Sequence, residues 1–174
     1  MRRLRYGVAM SLDGFIAGPR GEYDWIVPDS GIDFGAIHAQ FDTLLMGRRT
    51  YEVARTRRAQ IEGSGQRWIV VSNTLKADEC DGVTVVSGDV FRAVAGLKEE
   101  PGKDIWLMGG GVLFRSLLDA GLVDGVDLVV MPVMLGGGTA LLPEGRRRWL
   151  HLEKSKVFAS GILILKYSVA PEPS

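Results

Sequence analysis

The chain has one cysteine and two histidines among its 174 residues, and those shortages remove several classes of chemistry at once. A lone Cys80 cannot form an intramolecular disulfide or a cysteine-rich zinc site. Its neighbours Glu79 and Asp81 disfavour a thiolate, which argues against a nucleophilic role. Only His38 and His151 could act as imidazole ligands, so no metal centre is expected. Net charge is missing too: 21 basic residues offset 21 acidic ones, leaving no global field to favour nucleic acid or an anionic membrane. The clusters Arg2-Arg3-Leu4-Arg5, Arg55-Thr56-Arg57-Arg58 and Arg146-Arg147-Arg148 are therefore expected to be solvated faces or local anion contacts. No run approaches the ~20 apolar residues of a membrane span, and the basic start is not followed by an apolar segment of signal-peptide length. A cytoplasmic protein with a small-molecule substrate, and no nucleic-acid or membrane partner, is the expectation.

What is present is a hydrophobic content of 46% and 23 glycines, the composition of a globular chain with many tight turns. Its length suits one domain. Apolar runs at Leu4 to Met10, Thr43 to Met46, Arg67 to Val71, Val83 to Val86, Ile105 to Met108 and Val126 to Val133 read as strands. Between several of them apolar residues recur at helical spacing: Phe34, Ile37 and Phe41; the segment from Arg48; the segment capped by Asp89 through Glu99; and Leu113, Phe114, Leu117 and Leu118, closed by Gly121. Strands alternating with helices predict a three-layer αβα fold with a mainly parallel central sheet covered on both faces. Trp149 to Phe158 and Ile162 to Val169, around Ser160-Gly161, predict an antiparallel hairpin with a two-residue turn at the carboxyl end. Pro132, near the end of its strand, suits an edge or a bulge.

Ligands of such sheets sit beyond the carboxyl ends of the strands, and three of those ends carry anion-binding chemistry. Gly109-Gly110-Gly111 joins a strand to a helix with free backbone N–H groups and no Cβ atoms in the way; the alternative is a tight turn that binds nothing. Gly47-Arg48-Arg49-Thr50 puts two guanidinium groups and a hydroxyl at another helix start, against the helix dipole unless an anion binds there. Ser72-Asn73-Thr74 offers short polar groups at a third strand end, or simply a turn. Phosphate sites in a row suggest a dinucleotide, and arginine beside small hydroxyls suits a 2′-phosphate, hence NADPH. The glycine pattern is not the Rossmann fingerprint, since Phe114 stands where a third glycine is needed, and the lysine of a P-loop is absent.

The ordered segments Ala9-Met-Ser-Leu-Asp-Gly-Phe-Ile-Ala17, Leu45-Met-Gly-Arg-Arg-Thr-Tyr-Glu52, Val70-Val-Ser-Asn73, Trp106-Leu-Met-Gly-Gly-Gly111 and Met131-Pro-Val-Met-Leu-Gly-Gly-Gly138 resemble the dihydrofolate reductase superfamily. Within it they are most similar to the reductase domain of the bifunctional riboflavin-biosynthesis deaminase-reductase. The resemblance spans about Arg5 to Tyr167. It implies a dihydrofolate-reductase-like fold and an NADPH-dependent oxidoreductase acting on a small heterocyclic or sugar-phosphate substrate, as 5-amino-6-(5-phosphoribosylamino)uracil reductase does. Dihydrofolate reduction, or NADPH binding without catalysis, are the alternatives. By the same resemblance Gly47, Arg48, Arg49 and Thr50 hold cofactor phosphates, with Ser72 and Asn73 near the 2′-phosphate. Met108, Gly109, Gly110, Gly111 and Val112 lie along the pyrophosphate and nicotinamide ribose, while Ala9, Ile16 and Ala17 flank the nicotinamide. Trp25, Phe34, Ile37 and Pro132 fall on the substrate side, and the loop holding Asp13 and Trp25 closes over the pocket. For the proton, Asp33 has the helix-start spacing of a substrate-gripping carboxylate, against a role as a helix-start charge; Asp13 competes, against plain turn formation. His38 is expected on a helix surface. The Leu128 to Met134 and Ile162 to Leu165 segments are either the edge of a homodimer or core.

Overall fold

The computed structural model describes residues 1–57, 65–76, 80 and 82–170. Its strands are β1 (Leu4–Ser11), β2 (Phe15–Ala17), β3 (Phe41–Gly47), β4 (Arg67–Val71), β5 (Val83–Val86), β6 (Asp104–Gly109), β7 (Gly125–Met131), β8 (Thr139–Ala140), β9 (Leu150–Val157) and β10 (Leu163–Val169). Its helices are α1 (Phe34–His38), α2 (Arg48–Ala54), α3 (Val90–Glu99) and α4 (Gly111–Asp119). Eight strands form one sheet in the order β5-β4-β3-β6-β1-β7-β10-β9, and β2 pairs with β8 apart from it. The ladders from β5 to β7 are parallel, whereas β10 runs antiparallel to both β7 and β9. The expected αβα architecture with its antiparallel carboxyl-terminal hairpin is the one observed.

Alternation along the strands sorts side chains onto two unlike faces. One face carries Leu4, Tyr6, Leu45, Ile69, Ile105, Leu107, Val126, Leu128 and Val130, covered by Val94 and Leu97 of α3 and by Phe114, Leu117 and Leu118 of α4. Leu107 and Leu117 are fully buried there, so truncating either to alanine should cost about 2–5 kcal/mol. The Tyr6 ring stacks on Phe114 at 3.8 Å. Gly121 closes α4 with φ +69°, its N–H bonding Leu118 O while Leu122 N–H reaches Leu117 O, the two bonds of a Schellman motif.

The other face is covered in two separate patches. Under α2, Tyr51 and Ala54 pack on Leu44, Met46, Trp68 and Val70. Near α1, Trp25 and Ile37 pack on Ile32, Met131 and Ile162. Between the patches the central strands are left half-open: Gly7 and Ala9 of β1, Trp106 and Met108 of β6, and Val129 of β7 all keep partial exposure.

Several expectations need correction. Phe41 does not extend α1 but opens β3, because its ring is buried beside Trp106 at 5.4 Å with the Arg5 guanidinium 4.8 Å above it. Arg2 and Arg5 are not solvated; they are 6% and 7% exposed and pair with Asp42, Asp104 and Asp127. Arg58, Glu79 and Asp81 lie outside the described residues. Pro132 is neither at an edge nor in a bulge, since β7 runs inside the sheet and ends before it. The hairpin turn has three residues, not two. Gly161 N–H bonds Phe158 O and Phe158 N–H bonds Ile162 O, and Gly161 takes φ +86°, as a type I turn followed by a glycine bulge requires. Leu128 to Met131 and Leu163 to Leu165 lie in interior strands, so the sheet edge on that side is β9. His38 is half-buried, edge-on to Trp106 at 5.0 Å, and burial lowers its pKa.

Candidate functional site

A crevice opens at the carboxyl end of the sheet because β1 and β6 part company. They pair over only three residues, Leu4 to Tyr6 with Ile105 to Leu107. Beyond that the Trp106 indole takes the place of the ladder, its Nε1–H donating to Gly7 O at 2.8 Å. A Cβ on Gly7 would come within 2.5 Å of that nitrogen, so glycine is what lets the indole lie against the strand. On the flanks pairing continues: β1 follows β7 to Ser11–Met131, and β3 follows β6 to Met46–Gly109. The parted ends leave Ala9 on one lip and Met108 on the other, both half-exposed.

Two helix starts converge beside this crevice, and each begins on a glycine. Gly47 is the N-cap of α2 and Gly110 that of α4, and neither start carries a side-chain capping bond or an acidic residue in its first turn. The Gly109–Gly110 peptide is cis. A Cβ on Gly47 would meet Gly110 N at 4.0 Å, one on Gly110 would meet Thr50 Oγ1 at 3.8 Å, and one on Gly109 would meet it at 3.2 Å. The two sets of unsatisfied N–H groups and the Thr50 hydroxyl thus line one small space.

The β4 turn joins them through Arg48, whose Nη1 donates to Thr74 Oγ1 at 2.7 Å while its Nε pairs with Glu52 at 2.7 Å. Ser72 shapes that turn, accepting from Leu75 N–H at 3.0 Å, and Asn73 accepts from Gly88 N–H at 3.1 Å. Arg49 is exposed, with no side-chain partner among the described residues. Val112, in the first turn of α4, is 74% exposed.

A strap over the glycine turn completes the enclosure. Phe15 and Ala17 of β2 pair with Ala140 and Thr139 of β8, Leu12 N–H bonds Val133 O, and Leu141 N–H bonds Gly14 O. Ile16, between those pairs, is half-exposed. Asp13 fastens the strap from below: it accepts from Leu135 N–H at 3.0 Å, Gly136 N–H at 2.7 Å and the Ser11 hydroxyl at 2.7 Å. These bonds, led by that from Ser11, hold its carboxyl down to about 2. It is ionised at neutral pH with both oxygens engaged, which is the state of a tether and a poor one for an acid. The strap reaches the glycines, since a Cβ on Gly111 would sit 3.2 Å from both Ala140 O and Pro143 Cδ.

The residues expected on the substrate side do not all converge. Asp33 is the N-cap of α1, accepting from Ala36 N–H at 2.8 Å. With Ile37 it lines a cavity on the β9–β10 side of that helix, and Phe34, 46% exposed, is not among the lining residues. Trp25 packs into the cluster around Ile32, anchored by Nε1–H to Glu22 O at 3.1 Å. Pro132 borders the hairpin turn, 3.3 Å from where a Gly161 Cβ would stand. Sequence reasoning did not assign roles to Trp106 or to the β2–β8 pairing; the Leu135-Gly-Gly-Gly138 cluster was the available signal for the latter.

A parallel sheet whose central strands splay beside two glycine-started helices is the dihydrofolate-reductase-like fold. Within that fold class, the chain belongs to the family of the RibD C-terminal domain, whose model matches residues 2–164. The uncharacterized protein YyaP of Bacillus subtilis (strain 168) is 32% identical over 95% of this chain and 94% of its own. A putative riboflavin biosynthesis protein from Shewanella sp. PV-4 superposes with a TM-score of 0.83 at 28% identity, covering 98% of this chain and all of that one. Dihydrofolate reductase from Enterococcus faecalis, complexed with NADP(H), shares the fold at a TM-score of 0.71 and 19% identity, with 97% of each chain covered.

Proposed function

We propose that this protein is an NADPH-dependent reductase. It delivers hydride to a small heterocyclic or sugar-phosphate substrate of the kind represented by 5-amino-6-(5-phosphoribosylamino)uracil. The observation that carries the reading is the pair of glycine helix starts facing one space beside the splayed strands: both leave N–H groups unsatisfied, and a pyrophosphate is the anion that satisfies two such sets at once. The cradle fits the cofactor sterically as well, because every Cβ that would fill it is missing at Gly47, Gly109 and Gly110.

When bound, the cofactor supplies hydride; the chain supplies position. Gly47, Thr50, Gly109, Gly110, Gly111 and Val112 bind the pyrophosphate and ribose, and Ala9, Ile16, Ala17 and Met108 bound the nicotinamide. Arg48 and Arg49, with Ser72 and Asn73, meet the 2′-phosphate. Asp13 holds the strap that excludes water. Asp33 is the remaining carboxyl proposed to give a proton, directly or through water, with Trp25, Phe34, Ile37 and Pro132 bounding the substrate. Among the described residues no helix is long and apolar enough to cross a membrane; a cytoplasmic location is part of the proposal. A homodimer that extends the sheet on that side would pair through β9, since β7 and β10 lie inside it.

Steady-state NADPH oxidation with the aminopyrimidine, with dihydrofolate and with neither tests the reading. Turnover of the first is expected; turnover of dihydrofolate alone would reassign the substrate. The ionised state of Asp13 also favours a second reading, a cofactor-binding protein without an acid. NADPH binding with no turnover of either substrate, and an Asp33→Asn variant identical to wild type, would establish it.

A further inference from the structure

α1 is only five residues long and leaves the adjoining face of β9 and β10 uncovered. A cavity of about 250 Å3 opens there, lined among others by Ile32, Ile37, Ile164 and Phe158, and by Lys154, Lys156 and Lys166. None of the residues assigned to the cofactor takes part in it. The lysines come from strand register: Lys166 lies directly opposite Lys154 on β9 and Asp127 on β7, and Ile164 lies opposite Lys156. The cavity therefore has an apolar wall and a floor carrying three ammonium groups.

Like charges directly opposite on neighbouring strands destabilise a sheet, and the acids nearby offset these only through space, Asp127 and Glu153 acting on Lys166 and Asp29 on Lys156. Asp127 is taken by the buried Arg5. Asp33 holds the Ala36 N–H, Asp29 holds Ser160 and the Gly31 N–H, and Glu153 faces Arg3. None of the three lysines has a salt-bridge partner among the described residues; Lys156 instead lies 4.4 Å above the Phe158 ring. Burial lowers the Lys166 pKa, with Asp127 and Glu153 opposing the shift and Arg5 and Lys154 adding to it. Three ammonium groups beside an apolar wall, with no ion-pair contact of their own among the described residues, leave room for an anionic ligand.

We propose that this cavity binds a small phosphate-bearing molecule with a planar or apolar body, the phosphate held by Lys154, Lys156 and Lys166 and the body lying against Ile37, Ile164 and Phe158. A dianion with three acceptor oxygens matches three point-charge donors. The phosphate belongs either to the reductase substrate, reaching round α1, or to a separate ligand.

Phenyl phosphate, inorganic phosphate and phenol are titrated into the full chain and followed by amide chemical shifts, in wild type, in Lys154→Gln/Lys166→Gln and in Arg20→Gln, which removes an exposed charge elsewhere. Saturable binding is expected in the order phenyl phosphate, phosphate, phenol, with shifts at Ile37 and Ile164. The double variant should weaken phenyl phosphate by about tenfold or more, weakening also with added salt, and Arg20→Gln should not. Equal affinity in the double variant, or shifts confined to the glycine crevice, would overturn the proposal. Binding is read without turnover, so an inactive enzyme leaves it testable. In an active one, competition between phenyl phosphate and a phosphorylated substrate assigns the cavity to the substrate. Binding without competition assigns it to a second molecule.

Discussion

The four α-helices among the described residues begin in two ways. α1 and α3 start behind aspartates, Asp33 and Asp89, whose carboxylates accept from the third N–H inside the helix. α2 and α4 start behind glycines and have no side-chain bond. An aspartate cap is worth a few tenths of a kcal/mol over glycine and brings a charge as well, so the second pair forgoes some available stability at the place where their two starts face each other. The first pair is finished structure. The second leaves its first N–H groups open to an anion, and that difference marks the cofactor end of the proposed site.

Four changes break or sharpen the contrast, the largest effect first. Gly110→Val puts a branched side chain into the cradle at an ordinary φ of −90°; NADPH Kd should rise by about 100-fold or more, equivalent to ~2.7 kcal/mol, while circular dichroism reports an intact fold. Arg48→Gln removes the charge but keeps a polar chain near Thr74. It should weaken NADPH by roughly tenfold and leave NADH nearly unchanged, as competition titrations would show.

Asp13→Asn acts through the strap. The native carboxyl titrates at about 2 against an ordinary 3.8, so its contribution to stability is present above the ordinary value and is lost as pH falls toward 2. Urea melts should therefore separate wild type from Asp13→Asn above about pH 4, with the gap closing toward pH 2. Cofactor affinity in the wild type should not vary between pH 5 and 8 on account of this group. Asp89→Ala is the smallest: about 1 kcal/mol of stability lost, with NADPH affinity untouched.

The second pair of helix starts was legible in the sequence because glycine runs between an apolar strand and a helical repeat have few other uses. β4, β5 and the Asp89-capped helix were legible for a similar reason: local pattern and tertiary demand agree there. Phe41 misled because apolar spacing continues past the true end of α1, and only burial against Trp106 and Arg5 decides for a strand. Arg2 and Arg5 misled because their partners, Asp42, Asp104 and Asp127, are brought up by parallel pairing that no local window contains. The lysine floor was hidden similarly, since Lys154 and Lys166 become neighbours only once the hairpin register is known. Asp13 could be seen as a polar residue in a turn, but its partners at Leu135 and Gly136 stand more than a hundred residues away, so tether and acid looked alike.

The most direct test is to finish α2 in the manner of α1 and α3. Gly47 has φ −79° and ψ 165°, the extended geometry of an N-cap, and the nearest atom to a new Cβ is 4.0 Å away, so Gly47→Asp can supply the missing cap and its charge together. Calorimetric titration with NADPH should show one saturable site per chain in the wild type and affinity weaker by about 100-fold or more in the variant, with a melting temperature no lower. Equal affinity in the two proteins would contradict the assignment of the uncapped helix starts to the cofactor phosphates.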